Sequence, residues 1–191
     1  MIPDFTHSGV LPPFTSSDPT DPNGISPYKI TLAELATKFL TSEIRKNILI
    51  GFLSYRTELK KLGFVQGFQW IDGSFVEDIE KNQQRPPNDI DIITFADRPA
   101  SITTNQEWID FFNANQNIFN PVLTKTNFMC DAYHVDLDLP QEYIVRQSSY
   151  WYGLFSHQRE TYLWKGLLEI SLADNDEEVM DAIINGGNNA S

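Results

Sequence analysis

The stretch Trp-Ile-Asp-Gly-Ser-Phe-Val at positions 70–76 is followed, after a polar segment, by Pro-Asn-Asp-Ile-Asp-Ile-Ile at 87–93. Aromatic and β-branched residues dominate 64–71 and predict a strand that ends near the Gly-Ser pair. Alternating aspartates at the start of 89–95 predict a second strand, and the polar, proline-ended segment 77–88 predicts a loop.

Four residues in these stretches carry recognisable chemistry. Asp89 and Asp91 share one face of the second strand because side chains alternate with period two. Two neighbouring carboxylates repel each other unless a cation lies between them, and oxygen ligands of this kind suit Mg²⁺ bound to phosphates. Gly73 lets the backbone approach a phosphate closely, and Ser74 adds a hydroxyl donor. Together they predict a metal and phosphate site.

The rest of the chain mixes helical and strand patterns. Capping boxes that begin at Thr31 and Thr104 predict helices over 31–40 and 104–115, and periodic apolar residues predict a helix over 42–62. Further strands are predicted over 127–139 and 163–172, with a short helix or turn over 150–155. This order predicts an α/β (α+β) fold with a mixed sheet of four to five strands and helices on one face.

Composition divides the chain into three parts. Six of the eleven prolines lie in 1–27, which predicts an irregular N-terminal arm with apolar anchors at Phe5, Val10, Leu11 and Phe14. The folded domain is predicted over 28–172. The segment 173–191 carries five acids and no base, which predicts an acidic tail with a short helix over 177–184 and a frayed end. Such a tail is either solvated or a docking segment for a basic partner.

The overall charge and composition exclude several classes of function. With 14 basic and 26 acidic residues, the net charge of −12 argues against binding of duplex nucleic acid, which depends on neutralised phosphates. A single cysteine excludes an internal disulfide and a paired-cysteine metal site. The sequence contains neither a transmembrane-length apolar run nor a signal-peptide pattern. We therefore expect a cytoplasmic protein that does not bind membranes.

The Gly-Ser pair followed by Asp-x-Asp resembles the signature of the DNA polymerase beta-type nucleotidyltransferase superfamily. The ordered set of motifs is more closely similar to a small bacterial family with a nucleotidyltransferase-like core. That resemblance covers nearly the whole chain except the acidic tail, and 80–85 departs from it as an apparent insertion. The motifs that carry it are Gly-Val-Leu-Pro-Pro at 9–13, the block at 70–76, Asp-Ala-Tyr at 131–133, Trp151, Phe155, Arg159 and Lys165-Gly166.

The resemblance implies an enzyme that transfers a nucleoside monophosphate from a nucleoside triphosphate, with ATP as the expected donor. It implies two Mg²⁺ ions held by three carboxylates, which clamp the attacking and leaving oxygens. Gly73 and Ser74 would then contact the triphosphate, and Asp89 and Asp91 would ligate the metals. The acceptor is expected to be a protein or a small molecule, because no basic groove is visible.

The third carboxylate is either Asp131 or Asp136. On a regular strand these residues face opposite sides, and alternation places Asp136 with His134 and Asp138 on the polar face. That favours Asp136, whereas the resemblance favours Asp131 as a third catalytic and metal-binding aspartate. A β-bulge would reconcile the two assignments.

Two basic residues near the end of the domain are candidate phosphate ligands. Arg159 suits bidentate recognition of a phosphate, and Lys165 suits a point contact. A salt bridge in a very acidic protein is the other interpretation of each. The three histidines show no ligand spacing and are interpreted as non-catalytic. An alternative function is a catalytically silent, nucleotidyltransferase-like binding module with a protein partner in a toxin–antitoxin or phage-defence complex.

Overall fold

The computed structural model describes residues 1–18, 20–159 and 161–186. In this part of the chain, five strands form one mixed sheet in the order β1-β5-β2-β3-β4. β3 runs antiparallel to β2 and parallel to β4, while β5 joins β2 antiparallel and β1 parallel. The predicted α/β class with a mixed sheet of four to five strands is confirmed. The strands are β1 (Tyr28–Ile30), β2 (Phe68–Asp72), β3 (Ile90–Ala96), β4 (Cys130–Asp136) and β5 (Leu168–Ser171).

Eight helices accompany the sheet in the described residues, and none of them is both long enough and apolar enough to cross a membrane. The capping boxes at Thr31 and Thr104 are both present, with reciprocal side-chain and backbone hydrogen bonds. The helices are α1 (Leu32–Phe39), α2 (Glu43–Lys61), α3 (Ile79–Gln83), α4 (Asn105–Ala114), α5 (Gln116–Phe119), α6 (Pro121–Phe128), α7 (Gln141–Phe155) and α8 (Asp176–Gly186).

Several elements differ from the sequence-based predictions. α3 interrupts the predicted loop over 77–88, and α6 occupies the start of the predicted strand over 127–139. α6 begins with Asn120 as N-cap and Pro121 in its first turn, a start signal that the β-branched residues around it obscured. α7 has 15 residues rather than the predicted short turn, and Phe155 is the one buried residue among its described side chains. A helix that buries a single side chain gives a weak sequence signal.

Apolar residues pack on both faces of the sheet. The larger cluster joins α1, α2 and α5 to the face that carries Ile71, Ile92 and Ala132. The smaller cluster, on the opposite face, joins Phe155 of α7 to residues such as Ile93. The sheet is therefore covered by helices on both faces and not on one, with α7 alone over the second face in the described residues.

The N-terminal arm is part of the folded unit. Val10 and Leu11 are buried, as predicted, and the Leu11 carbonyl accepts a hydrogen bond of 2.8 Å from the Gly166 amide. Phe14, by contrast, is half exposed and packs against Trp164, with 5.7 Å between the two ring centroids. The arm is irregular in backbone, but it lies against the loop that precedes β5.

The acidic segment contributes α8, which packs on α1 and α2 through Val179 and Ile183. Its first turn is joined to the core by Asp176, whose carboxylate accepts a hydrogen bond of 2.8 Å from the fully buried Arg56. Asp174 accepts a 2.6 Å hydrogen bond from the amide of Leu32, at the start of α1. The predicted tail helix is thus present and packed. Of the frayed end predicted over 186–189, Gly186 is the last residue of α8, and the rest lies outside the described residues.

Asp176→Asn should destabilise the fold by about 3 kcal/mol, because it leaves the Arg56 guanidinium buried without its counter-ion. Glu177→Gln, one residue along on the exposed face of α8, removes the same charge and should change the free energy of unfolding by less than about 0.5 kcal/mol. Urea unfolding of both variants measures the difference. Equal stabilities would show that the ion pair does not anchor α8.

His134 provides a separate test of the core. Its ring is buried among Phe64, Trp108 and Phe119, and neither ring nitrogen has a hydrogen-bond partner among the described residues. Burial lowers the pKa of His134 to about 4, against 6.5 for an exposed histidine. Between these values the unfolded chain binds more protons, so the stability that neutral His134 contributes is complete above pH 6.5 and is lost as pH falls toward 4.

His134→Phe should therefore lose less stability than the wild type between pH 7 and about pH 4.5. The expected difference in the free energy of unfolding is about 2–3 kcal/mol, measured by urea titration at the two pH values. His7→Gln, which alters an exposed histidine, should follow the wild type. An equal acid loss in His134→Phe would refute this account of the buried imidazole.

Candidate functional site

Three aspartates form one row at one end of strands β2, β3 and β4. Asp91 on β3 is the register partner of Asp72 on β2 and of Asp131 on β4. Side chains in one cross-strand row point to the same face, with Cβ atoms roughly 5 Å apart. Asp89, two residues before Asp91, lines the same cleft. The structure therefore brings Asp89, Asp91 and Asp131 together, as the resemblance implied, and adds Asp72.

Asp136 lies at the other end of β4, where its register partner is Ala96. Its carboxylate accepts a hydrogen bond of 2.8 Å from Nε of Arg98 and one of 3.0 Å from the Asp138 amide. The alternation argument that favoured Asp136 was wrong about the cleft, because the polar face of β4 is covered by helices. His134, on that same face, is buried in the aromatic cluster described above. No bulge is needed, since Asp131 alone faces the cleft.

Gly73 and Ser74 form the turn that follows β2. Gly73 has a φ of +83°, and a Cβ atom there would overlap the carboxylate of Asp91. Ser74 begins a short 3-10 turn that runs to Val76. Both residues line the cleft with the aspartates, so the Gly-Ser pair lies beside the carboxylate row as predicted.

The cleft has a volume of about 310 Å³ and a mixed set of charges. One wall is the carboxylate row, and the opposite wall is formed by the end of α7 and the segment after it, including Gln158 and Arg159. Arg159, a candidate phosphate ligand, therefore lies at the cleft. Arg85 and Lys125 supply further positive charge at its edge.

Lys165 lines the cleft but is buried, with its ammonium group paired to two carboxylates. Its buried ammonium is 3.0 Å from Oδ1 of Asp72 and 2.7 Å from Oε1 of Glu77, and Gln158 donates to the second oxygen of Glu77 at 2.7 Å. Burial disfavours the charged amine, but these carboxylates outweigh it and raise the pKa of Lys165. Lys165 was interpreted from the sequence either as a phosphate ligand or as a partner in a salt bridge, and the structure shows the salt bridge. This ion pair holds the Gly-Ser turn in position.

The carboxylate row is poorly neutralised. Burial, followed by repulsion from Asp72, Asp89 and Asp131, raises the pKa of Asp91 to about 7. Burial also raises the pKa of Asp72 to about 6, although Lys165 opposes the shift. This is the electrostatic pattern of carboxylates that lack a sufficient counter-ion.

Lys125 on α6 is the basic residue nearest to the outer carboxylates. Its Nζ atom lies 2.5 Å from Oδ2 of Asp89 and 3.9 Å from Oδ2 of Asp131. The hydrogen bond with Asp89 raises the pKa of Lys125. Sequence reasoning missed this residue because α6 itself was not predicted, and a lone lysine there carries no motif.

Arg45 is the second residue that the sequence did not reveal. Its buried guanidinium donates to the Phe75 carbonyl at 2.6 Å and to both carboxylate oxygens of Glu80 at 2.6 and 2.7 Å. It therefore joins α2 to the 3-10 turn and to α3. The apparent insertion at 80–85 thus supplies Glu80, a partner that holds the turn in place.

The donor set of this site fits Mg²⁺. Asp89, Asp91 and Asp131 offer only oxygen ligands, and the raised pKa of Asp91 shows that additional positive charge would be favourable. No three acidic or histidine side chains among the described residues already stand in ligand positions around one point. A divalent ion bound here would require Lys125 to release Asp89.

Gly73→Ala should displace the Asp91 carboxylate, because the added methyl group overlaps it and the positive φ disfavours any side chain. We expect a loss of about 1–3 kcal/mol in the free energy of unfolding, measured in urea. Gly153→Ala is the matched control: it lies in α7 with open space around its Cβ position, and should stabilise the protein by up to about 1 kcal/mol. A Gly73→Ala variant as stable as the wild type would contradict the described turn.

Comparisons with known proteins place the chain at the level of a family. Neither the curated proteins nor the solved structures contain a significant match, so the nucleotidyltransferase resemblance stays a prediction. Residues 3–171 match a family of unknown function, DUF6932. That span includes the arm, the whole sheet and every cleft residue named above, and it ends before α8. The chain therefore belongs to the DUF6932 family.

Proposed function

We propose that this protein is a Mg²⁺-dependent nucleotidyltransferase that moves a nucleoside monophosphate from ATP to a protein or small-molecule acceptor. The observation that carries the proposal is the alignment of Asp72, Asp91 and Asp131 in one row, with Asp89 beside it and the Gly-Ser turn adjacent. An excess of carboxylates next to a backbone turn suits a metal-bound polyphosphate better than a neutral ligand.

The charges of the cleft support a metal-complexed substrate. Five acids line it against four bases, and two of those bases are already paired, Lys165 with Asp72 and Glu77 and Lys125 with Asp89. A free triphosphate would be repelled by this balance, whereas its Mg²⁺ complex would supply the missing positive charge. Bound Mg²⁺ would stabilise charge on the attacking and leaving oxygens.

The site residues predicted from the sequence have separate roles in this proposal. Asp89, Asp91 and Asp131 would hold the metal, while Gly73 and Ser74 would contact the phosphates through an unhindered backbone and a hydroxyl group. Arg159 would bind the phosphates from the opposite wall. Lys165 would act indirectly, by holding the Gly-Ser turn in position through its ion pairs.

The paired variant Asp89→Asn with Asp91→Asn tests the proposal. It should weaken binding of Mg²⁺–ATP more than about 100-fold, because even indirect partners of metal ligands contribute 10–100-fold. The melting temperature should stay unchanged or rise, because like charges in the row repel each other. Isothermal titration calorimetry with a non-hydrolysable ATP analogue measures the binding, and Asp131→Asn should behave similarly.

Asp110→Asn is the control, because it removes one carboxylate from an exposed position on α4. It should bind the analogue like the wild type. A clear fall in melting temperature with binding retained in the double variant would show that the aspartate pair is structural. Binding without transfer to any acceptor would favour the alternative of a catalytically silent module that acts with a protein partner.

A further inference from the structure

Lys125 lies on a helix that cannot easily move away from the site. Thr124, the preceding residue, is fully buried, and the Phe128 carbonyl packs so closely on Gly51 of α2 that a Cβ atom there would overlap it. The Lys125 side chain is nevertheless half exposed. The backbone of α6 is therefore fixed while the four-carbon stem of Lys125 is free to change rotamer.

The ammonium group takes up oxygens that a divalent ion would use. Nζ lies within 4 Å of Oδ2 of both Asp89 and Asp131, on the side of the row that opens to the cleft. An ammonium ion and a divalent cation cannot share these oxygens without strong repulsion, because two positive charges at such short separation repel each other and are only partly screened near a protein surface. One cation must leave when the other binds.

We propose that Lys125 is the built-in counter-ion of the metal-free site and that it couples binding of the metal to binding of the triphosphate. This inference rests on the proposed function, because it requires both ligands to enter the cleft. The metal displaces the ammonium group from Asp89, and the displaced group then pairs with a phosphate of the nucleotide. A phosphate that attracts Lys125 in turn frees Asp89 for the metal.

Coupling of this kind is reciprocal. If the triphosphate raises the affinity for the metal by some factor, the metal must raise the affinity for the triphosphate by the same factor. A site with Lys125 therefore binds metal poorly on its own and well with nucleotide. Without the lysine, the metal should bind better alone and gain less from the nucleotide.

The test is a titration with Mn²⁺, followed by electron paramagnetic resonance, with and without α,β-methylene-ATP and corrected for the Mn²⁺–nucleotide complex in solution. Lys125→Met should bind Mn²⁺ alone at least about tenfold more tightly than the wild type. The enhancement of Mn²⁺ affinity by the analogue should shrink by a similar factor. Lys81→Met removes a lysine on α3 that is exposed and does not line the cleft, and should match the wild type in both titrations.

The outcomes separate this inference from the proposed function. If the wild type binds Mn²⁺ in neither condition, the proposed function fails. If the wild type binds Mn²⁺ but Lys125→Met shows unchanged affinity and unchanged enhancement, the counter-ion role is overturned and the metal site stands. Lys125→Gln, with its melting temperature measured alongside, repeats the test with a polar side chain, so that a folding defect in one variant does not decide the result.

Discussion

The buried ion pairs of Lys165 are the interaction on which the geometry of the site depends. The ammonium group of Lys165 binds Asp72 at the end of β2 and Glu77 just after the 3-10 turn. The backbone amide of Lys165 donates a hydrogen bond to the carbonyl of Ser156, the C-cap residue of α7. Lys165 thus joins both walls of the cleft to the loop that precedes β5. Removing one partner of such a buried pair leaves an uncompensated charge that costs several kcal/mol. The Gly-Ser turn is therefore held in place by charge as well as by packing.

The same arrangement explains why the carboxylate row remains electrostatically unsatisfied. Lys165 pairs with Asp72 and Glu77, and it only partly offsets the burial and the acidic neighbours that raise the pKa of Asp91. Lys125 compensates Asp89 from the other side, through a side chain that is half exposed. In the row, Asp91 lies between Asp72 and Asp131, and a divalent ion added beside it would relieve its repulsion from three acidic neighbours. The fold thus brings together carboxylates that repel each other and do not stabilise it. Such an arrangement is typical of binding and catalytic sites.

Much of the site could be predicted from the sequence because its signals are local. Period-two alternation placed Asp89 and Asp91 on one face, and the glycine beside Ser74 indicated a turn with close backbone approach. The choice between Asp131 and Asp136 needed tertiary information, since it depends on which face of β4 the helices cover. His134 and Asp136 are polar residues on a covered face, which reverses the usual rule that polar faces are open. Lys125 and Arg45 were beyond sequence reasoning, because each acts across elements that are distant in the chain.

The acidic segment shows how charge composition can mislead about structure. Its density of acids predicted a solvated or docking tail, yet Asp174 and Asp176 bind the amide of Leu32 and the guanidinium of Arg56. These carboxylates accept hydrogen bonds from a backbone amide of α1 and from a buried guanidinium of α2. Part of the net negative charge therefore stabilises the fold.

Transfer of label from ATP tests the central claim most directly. The protein is incubated with Mg²⁺, cell lysate and ATP labelled at either the α- or the γ-phosphate. Nucleotidyl transfer predicts that the α-label becomes attached to an acceptor and that the γ-label leaves as pyrophosphate. The variant Asp89→Asn with Asp91→Asn should attach no α-label and release no labelled pyrophosphate. Attachment of the γ-label above the level in lysate without the protein, or protein-dependent α-label transfer that persists in that variant, would contradict the assignment of this cleft as a nucleotidyltransferase site.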